Sequence, residues 1–209
     1  MNCRNKVLVL AVLFVGCAKH SIMTTSKMPS DVGTFKGLAY IIAETGKAKW
    51  ASNVSVIVKQ PDGLRLDAIE RITDVVASLK AKGGNGYLDL PLKGKRYTFK
   101  NDMIRFPEIG DVQIPAVELA SVLVGRPIVH EMADVEIDRG EGFITFYTRY
   151  ESSDKKRVLY EAHFGEMARI GGKKFPRHVI VRFEHPKLMI DVRYKDVQHG
   201  INIPWGLFE

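Results

Sequence analysis

The residue pattern most suggestive of chemistry is His130-Glu131-Met132-Ala133-Asp134. With a second His in place of Asp134 it would be the zinc-hydrolase arrangement, two imidazoles one helical turn apart beside a carboxylate that activates water. That chemistry needs a helix, because only there does the fourth residue return to the same face. Here Val129, Val135 and Ile137 alternate as a strand does, so residues 130 and 134 fall far apart and neither His130 nor Glu131 is expected to hold a metal. His163, His178, His185 and His199 are scattered, with no pair at ligand spacing. Gly83-Gly84-Asn85-Gly86-Tyr87 lacks the Lys-Ser/Thr pair of a phosphate loop and reads as a hairpin turn. There is no Gly-x-Ser-x-Gly elbow, and nothing marks two carboxylates as an acid–base pair. The expectation is a protein that is not an enzyme and uses no metal or cofactor.

The cysteine with a readable context is Cys17. Arg4 and Lys6 form a basic start, Val7–Val15 carries no charge, and Gly16-Cys17 closes the stretch. This is the layout of a bacterial export signal, with an apolar core too short to span a bilayer as a helix. A Cys directly after Val15-Gly16 gives it the form of a lipoprotein signal, in which the thiol is acylated (by chains such as palmitate) and becomes residue one. Phe14 stands where Leu is usual. The chain turns polar at once in Ala18-Lys19-His20-Ser21, which weakens the case for an ordinary secretory signal or a membrane-anchoring helix. Residues 1–16 therefore read as a signal peptide and Cys17 as a lipidation site. Cys3 leaves with the signal, so no disulfide forms and the domain depends on its apolar core.

Those 209 residues, less the signal, suit one domain large enough to bury a sizeable core. The net charge of +7 falls to +5 without Arg4 and Lys6, and is spread among 24 acidic residues. Nucleic-acid binding would want basic side chains clustered on one element with interleaved aromatics, and no such cluster is present. The excess suits a solvated surface, or attraction to anionic lipid headgroups at about 1 kcal/mol per nearby cation.

Residues 17–33, the acylated Cys and a Ser-, Thr-, Lys- and Gly-rich run, read as a flexible tether, and 34–209 as the folded domain. Phe35–Ile42 is a strand run. Trp50, Ser52, Val54, Val56 and Val58 share one face by alternation, with Lys49, Asn53, Ser55 and Lys59 on the other. Pro61-Asp62-Gly63 reads as a turn in which Gly accepts positive φ. Leu64–Ala68, Val75–Lys82, Tyr87–Leu90 and Arg96–Phe99 continue an antiparallel meander. The one clear helix opens at Ile114-Pro115, runs about three turns with Glu118 near its positive end, and stops at Gly125-Arg126-Pro127. Strand patterns resume at 129–137, 143–150, 157–164, 178–183 and 188–194. About eleven strands with one or two helices predict a mainly β domain, a large curled antiparallel sheet with the helix plugging its concave side and an apolar hollow between them.

In this order the features resemble the LolA/LolB lipoprotein-carrier family, the LolB receptors most of all. Lys36-Gly37-Leu38-Ala39-Tyr40-Ile41 resembles the opening strand, Arg65-Leu66 the start of the third, Gly94-Lys95-Arg96-Tyr97-Thr98 a later hairpin, and Leu119–Pro127 the helix ending in Leu-Gly-x-Pro. The similarity spans roughly residues 34–195 and implies an incomplete antiparallel β-barrel lidded by one or more helices around an apolar cavity, in agreement with the curled sheet read above. It implies an outer-membrane, lipid-anchored monomer facing the periplasm. Such a receptor takes the acyl chains of lipoproteins from a LolA-like periplasmic carrier and inserts them into the membrane, with no nucleic-acid partner. Ala18 after Cys17, rather than Asp, fits outer-membrane sorting under the rule of enteric bacteria. The alternative on the same fold is a lipid-binding envelope lipoprotein that passes no cargo on.

The resemblance also implies a membrane-inserting apolar residue on the loop after the third strand, which by position is Ile72. The competing reading of Ile69–Asp74 is a strand crossing with Ile72 in the core, and this stretch lacks the Pro-Leu-Gly tip of the better-known receptors. Leu38, Tyr40, Trp50, Val54, Val56 and Leu66 are the candidate lipid contacts on the inferred concave face, with plain core packing the competing reading for each. Alternation tells which residues of a strand share a face and leaves open which face looks into the hollow.

Overall fold

Alternating strands with short turns have only one way to bury their apolar side chains, which is to pair edge to edge and curl. The computed structural model describes residues 32–46, 49–70, 74–106, 112–128, 135–140, 143–151, 155–185 and 187–209. Cys17, Ile72, His130 and Glu131 lie outside the described residues.

Six strands run as a meander: β1 (Thr34–Thr45), β2 (Lys49–Lys59), β3 (Gly63–Ile69), β4 (Val75–Lys82), β5 (Asn85–Leu90) and β6 (Lys95–Phe99). A 3₁₀ turn at Pro91–Lys93 joins the last two. A separate ribbon of β7 (Met103–Phe106) and β8 (Val112–Pro115) leads into helix α1 (Ala116–Leu123). The second meander is β9 (Val135–Gly140), β10 (Phe143–Tyr150), β11 (Val158–Ile170), β12 (Lys173–Phe183) and β13 (Leu188–His199). Pairing of β1 with both β2 and β13 joins the halves into one eleven-stranded antiparallel sheet, in the order β6-β5-β4-β3-β2-β1-β13-β12-β11-β10-β9. The two edges, β6 and β9, do not meet. The expected incomplete barrel is thus the observed architecture, since a twisted sheet this wide curls.

Local signals placed several turns. Gly83 and Gly84 join the paired residues Lys82 and Asn85 at φ 59° and 77°, a two-residue mirror-image turn that glycine adopts without strain. Gly63 departs from expectation. It begins β3 without a positive φ, and what it supplies is room: a Cβ there would sit 2.9 Å from the ring of Trp205.

Trp205 belongs to a C-terminal strap with a 3₁₀ turn at Trp205–Phe208, where the sequence has no period to read. Ile57, Ile203 and Phe208 make a small second core on the outer face. Arg65 donates to the Leu207 carbonyl at 3.1 Å, Lys80 to that of Glu209 at 2.6 Å, and Lys59 to that of Ile203. The Lys59 and Lys82 ammonium groups lie 4.5 and 5.6 Å from the Trp205 ring centroid. The strap thereby covers the outer side of β2–β5.

One expectation about α1 is corrected. Pro115 is both the last residue of β8 and the N-cap of the helix, so the helix starts where expected, but it has eight residues rather than three turns. All eight are buried, including Glu118 and Ser121, because the sheet wraps around the helix.

Candidate functional site

Helix α1 crosses the concave face and is fixed along its length. At its start, the Asp102 carbonyl accepts the Ala116 N–H at 2.7 Å and the Asp102 carboxylate accepts the Val117 N–H at 3.3 Å. In the middle, the buried Tyr160 hydroxyl donates to Glu118, whose carboxylate also lies 3.6 Å from Arg149 Nε. Burial, and next the Glu118 carboxylate, push the Tyr160 hydroxyl well above its usual pKa, so it stays a donor. At the end, Tyr194 donates to the Leu123 carbonyl at 3.0 Å, and its pKa is likewise raised by burial. Gly125 at φ 69° then closes the helix. Its N–H reaches the Val122 carbonyl and the Arg126 N–H that of Ser121, the paired bonds of a Schellman motif.

The two halves of the sheet meet this helix differently. On β10–β13 the concave face carries Tyr147, Tyr160, Phe164, Phe175, Phe183 and Tyr194, all buried, which fill the space with rings. Tyr147–Tyr160 and Tyr160–Phe183 centroids stand 5.9 and 5.6 Å apart. On β2–β4 the facing side chains are small. Val54 pairs with Ala68 and Ala68 with Ala77, a row of short side chains across three strands. Against that row, beneath Leu119 and Leu123 of α1, lies a cavity of about 670 Å³. Its wall is largely apolar, running from Ile41 and Ala43 on β1 to Leu88 and Leu90 on β5, with Leu66 and Leu79 on the strands between. It reaches the surface at the strand ends beside Trp50, Glu70, Leu92 and Lys93, where Leu92 is 77% exposed and Trp50 41%. A hollow of this volume, apolar with a few polar groups at one end, is what an apolar ligand needs.

Solved structures share this architecture. A LolA superfamily protein from Nitrosomonas europaea aligns over 85% of this chain and 90% of its own, with TM-score 0.54 and 11% identity. A domain assigned as an outer membrane lipoprotein-sorting protein from Vibrio parahaemolyticus covers 85% and 89%, with TM-score 0.52 and 12% identity. The fold is LolA-like. A DUF1329 family protein from Desulfovibrio piger covers 89% of this chain and 91% of its own, with TM-score 0.52 and 8% identity. No family model and no curated protein sequence matches the chain. At these identities the likeness carries the fold.

Within this LolA-like sheet the six candidate contacts separate. Trp50, Val54 and Leu66 border the cavity. Val56 lies on the same face, fully buried, but in the packed core away from the cavity wall. Leu38 is corrected: its partner is Ser55, which puts its side chain on the opposite, outer face from Val54, while Tyr40, opposite Asn53 on that same face, still borders the cavity. Leu38 is not on the cavity wall. Tyr40 borders it only from a strand whose inward side chains there are Ile41 and Ala43, and its ring lies under Lys195 Nζ at 5.7 Å, which in turn bonds Asn53 at 2.8 Å.

Residues that the sequence reading missed are Ala68, Ala77, Leu90, Leu119 and Leu123. A small residue facing a long one is the available signal, but it becomes visible only with the pairing register. Among the described residues no group of three His, Cys, Asp or Glu converges as a metal site, and no helix is long and apolar enough to cross a membrane. Of the buried polar groups, Tyr160 and Tyr194 are engaged in holding α1.

Proposed function

We propose that this protein is a carrier or receptor for the acyl chains of lipoproteins in the bacterial envelope, working by transfer of apolar burial and not by bond chemistry. The observation that carries this is the apolar cavity between β1–β5 and a fixed helix, open at one end of the strands. The specific form proposed is LolB-like: Cys17 acylated, the domain held at the outer membrane on the 17–33 tether, a LolA-like carrier as donor and the membrane as acceptor. Each methylene regains about 0.8 kcal/mol on burial, so cargo moves onward only where the next site buries it slightly better. Ile72 is proposed as the membrane-touching side chain. In the sequence it stands two residues after Glu70, which borders the cavity opening, and two before Asp74, whose carbonyl accepts the Glu70 N–H at 3.1 Å.

The test is a transfer assay. The chain without residues 1–16 and with Cys17 replaced is mixed with a donor carrier holding a labelled lipoprotein, and cargo is followed to this protein and then to liposomes. Transfer through both steps, with the second reduced by Ile72→Glu, is the expected result. Uptake of free lipid without uptake of cargo from a carrier would select the alternative, a lipid-binding module that passes nothing on. Uptake of neither would sink both.

A further inference from the structure

Resting on that reading, we infer that the turn between β5 and β6, with Leu92 at its tip, is a bilayer contact that seats the open end of the barrel on a membrane bearing anionic lipid. It lies on a different hairpin from Ile72. The hairpins β1–β2, β3–β4 and β5–β6 all turn at one end of the sheet, where Glu44 pairs with Lys49, Ile69 with Val75 and Leu90 with Lys95. The cavity opens at that end. Six large apolar side chains are exposed among the described residues, and three of them stand there. These are Trp50 near the start of β2, Val75 at the start of β4, and Leu92, the most exposed of the six. Exposed apolar side chains scattered singly are ordinary, but three at the end of the barrel where an apolar cavity opens mark a contact surface.

The turn has a shape and a charge suited to a headgroup layer. Pro91 presets one backbone angle, and Gly94, at φ 58°, closes the turn by giving its N–H to the Pro91 carbonyl at 3.1 Å. Leu92 is thus presented without a loop having to order on binding. From Pro91 to Phe99 the segment carries Lys93, Lys95 and Arg96, all exposed, and no acidic residue. Arg96 stacks on the Tyr87 ring at 4.5 Å and bonds Asp89 at 2.7 Å, which fixes the base of the turn. An apolar tip beside cations, with a tryptophan at the rim, suits entry into the acyl boundary while the ammonium groups stay among phosphates. Glu44, Glu70 and Asp74 belong to the β1–β2 and β3–β4 hairpins, so charge favours the β5–β6 corner as the point of contact.

The path of the chain allows this orientation. β1 enters the sheet at Thr34, beside the buried Val32, at the end opposite the opening. Its 12 residues put about 40 Å between the two ends. Residues 18–31 separate Cys17 from Val32 and span at most about 46–50 Å, at about 3.3–3.6 Å each. A tether anchored at Cys17 is therefore long enough to pass the barrel and let its mouth face the membrane that holds the anchor.

The chain without residues 1–16 and carrying Cys17→Ala, so that no acyl group of its own anchors it, is mixed with vesicles of phosphatidylcholine alone or with about one third phosphatidylglycerol. Co-sedimentation gives the partition constant. The sequence has two tryptophans, and Trp205 lies on the outer strap, so Trp205→Phe leaves Trp50 as a reporter at the rim.

Binding to the anionic vesicles is expected, at least tenfold weaker on phosphatidylcholine alone and weakened by salt. Trp50 emission should shift to the blue on binding and be quenched by bromine-labelled acyl chains. Leu92→Glu should weaken partitioning at least tenfold, and Lys93→Glu combined with Lys95→Glu should do so on the anionic vesicles. If Trp205→Phe fails to fold, sedimentation of the Leu92 and lysine variants still decides. Vesicles left unbound, or bound equally well by Leu92→Glu, would overturn the inference; cargo uptake from a donor carrier by the unsubstituted chain would then leave the carrier reading standing. Vesicle binding as described, with no cargo uptake, would keep the bilayer contact and sink the carrier reading. If Leu92→Glu binds vesicles normally but takes no cargo from the carrier, the turn is a protein contact and the inference is overturned.

Discussion

Asp102 couples the helix over the cavity to pH. Its carboxylate accepts the Val117 N–H at 3.3 Å at the start of α1, while burial raises its pKa from 3.8 to about 6 against the opposing pull of that bond and of the Ala116 N–H. The folded pKa is the higher one, so the fold prefers the protonated form. The stabilisation is fully present below pH 3.8 and is lost as pH rises through about 6. A shift of about two units corresponds to a ceiling of about 3 kcal/mol, and screening of a side chain partly open to solvent lowers this to about 1–2 kcal/mol.

Asp102→Asn keeps an acceptor of the same shape and suits the positive φ of 63° there. Urea unfolding followed by circular dichroism between pH 4 and 8 should find the two proteins nearly equal at pH 4. The Asn form should gain on the wild type through pH 6 and stay about 1–2 kcal/mol more stable above it. A flat difference, or an Asn form weaker at pH 7, would mean that attraction of the carboxylate to the helix N-terminus outweighs burial, and the reasoning would be refuted.

Three further outcomes are expected. Gly125→Ala should destabilise by more than about 1 kcal/mol in the same unfolding assay, because φ is 69° and the new Cβ would lie 2.5 Å from the Pro176 ring. Tyr160→Phe removes the donor to the buried Glu118 carboxylate and should cost about 1.5–3 kcal/mol, with thermal unfolding as the check. Trp205→Ala strips the ring that packs on Gly63, Lys59 and Phe208 and should cost about 1–3 kcal/mol in thermal unfolding. Since the strap lies on the outer face, palmitate affinity should stay unchanged at temperatures where the variant is folded; a loss of affinity there would mean that the strap shapes the cavity.

Much of the architecture is local information. Alternation in β2, with Val54, Val56 and Val58 against Asn53, Ser55 and Lys59, is a property of consecutive residues and is reproduced in the sheet. The Gly83-Gly84 turn and the Gly125 helix stop rest on positive φ, which glycine supplies wherever it occurs. Enough such strands in one chain imply a curled sheet. Pro115 marks the helix start in the sequence, and what only the fold shows is that the same residue also ends β8, paired with Met103.

What the sequence by itself determined, then, is which residues of each strand share a side, where the chain turns, and that an apolar helix must lie against the sheet. The relative phase of neighbouring strands is a tertiary quantity. A one-residue slip exchanges the faces, and the pairing of Tyr40 with Asn53 rather than Val54 is what sends Leu38 and Tyr40 outward. The cavity is tertiary for the same reason. Ala68 and Ala77 are unremarkable in the chain, and become a hollow only when register sets them side by side, with α1 tied above them to residues from 102 to 194.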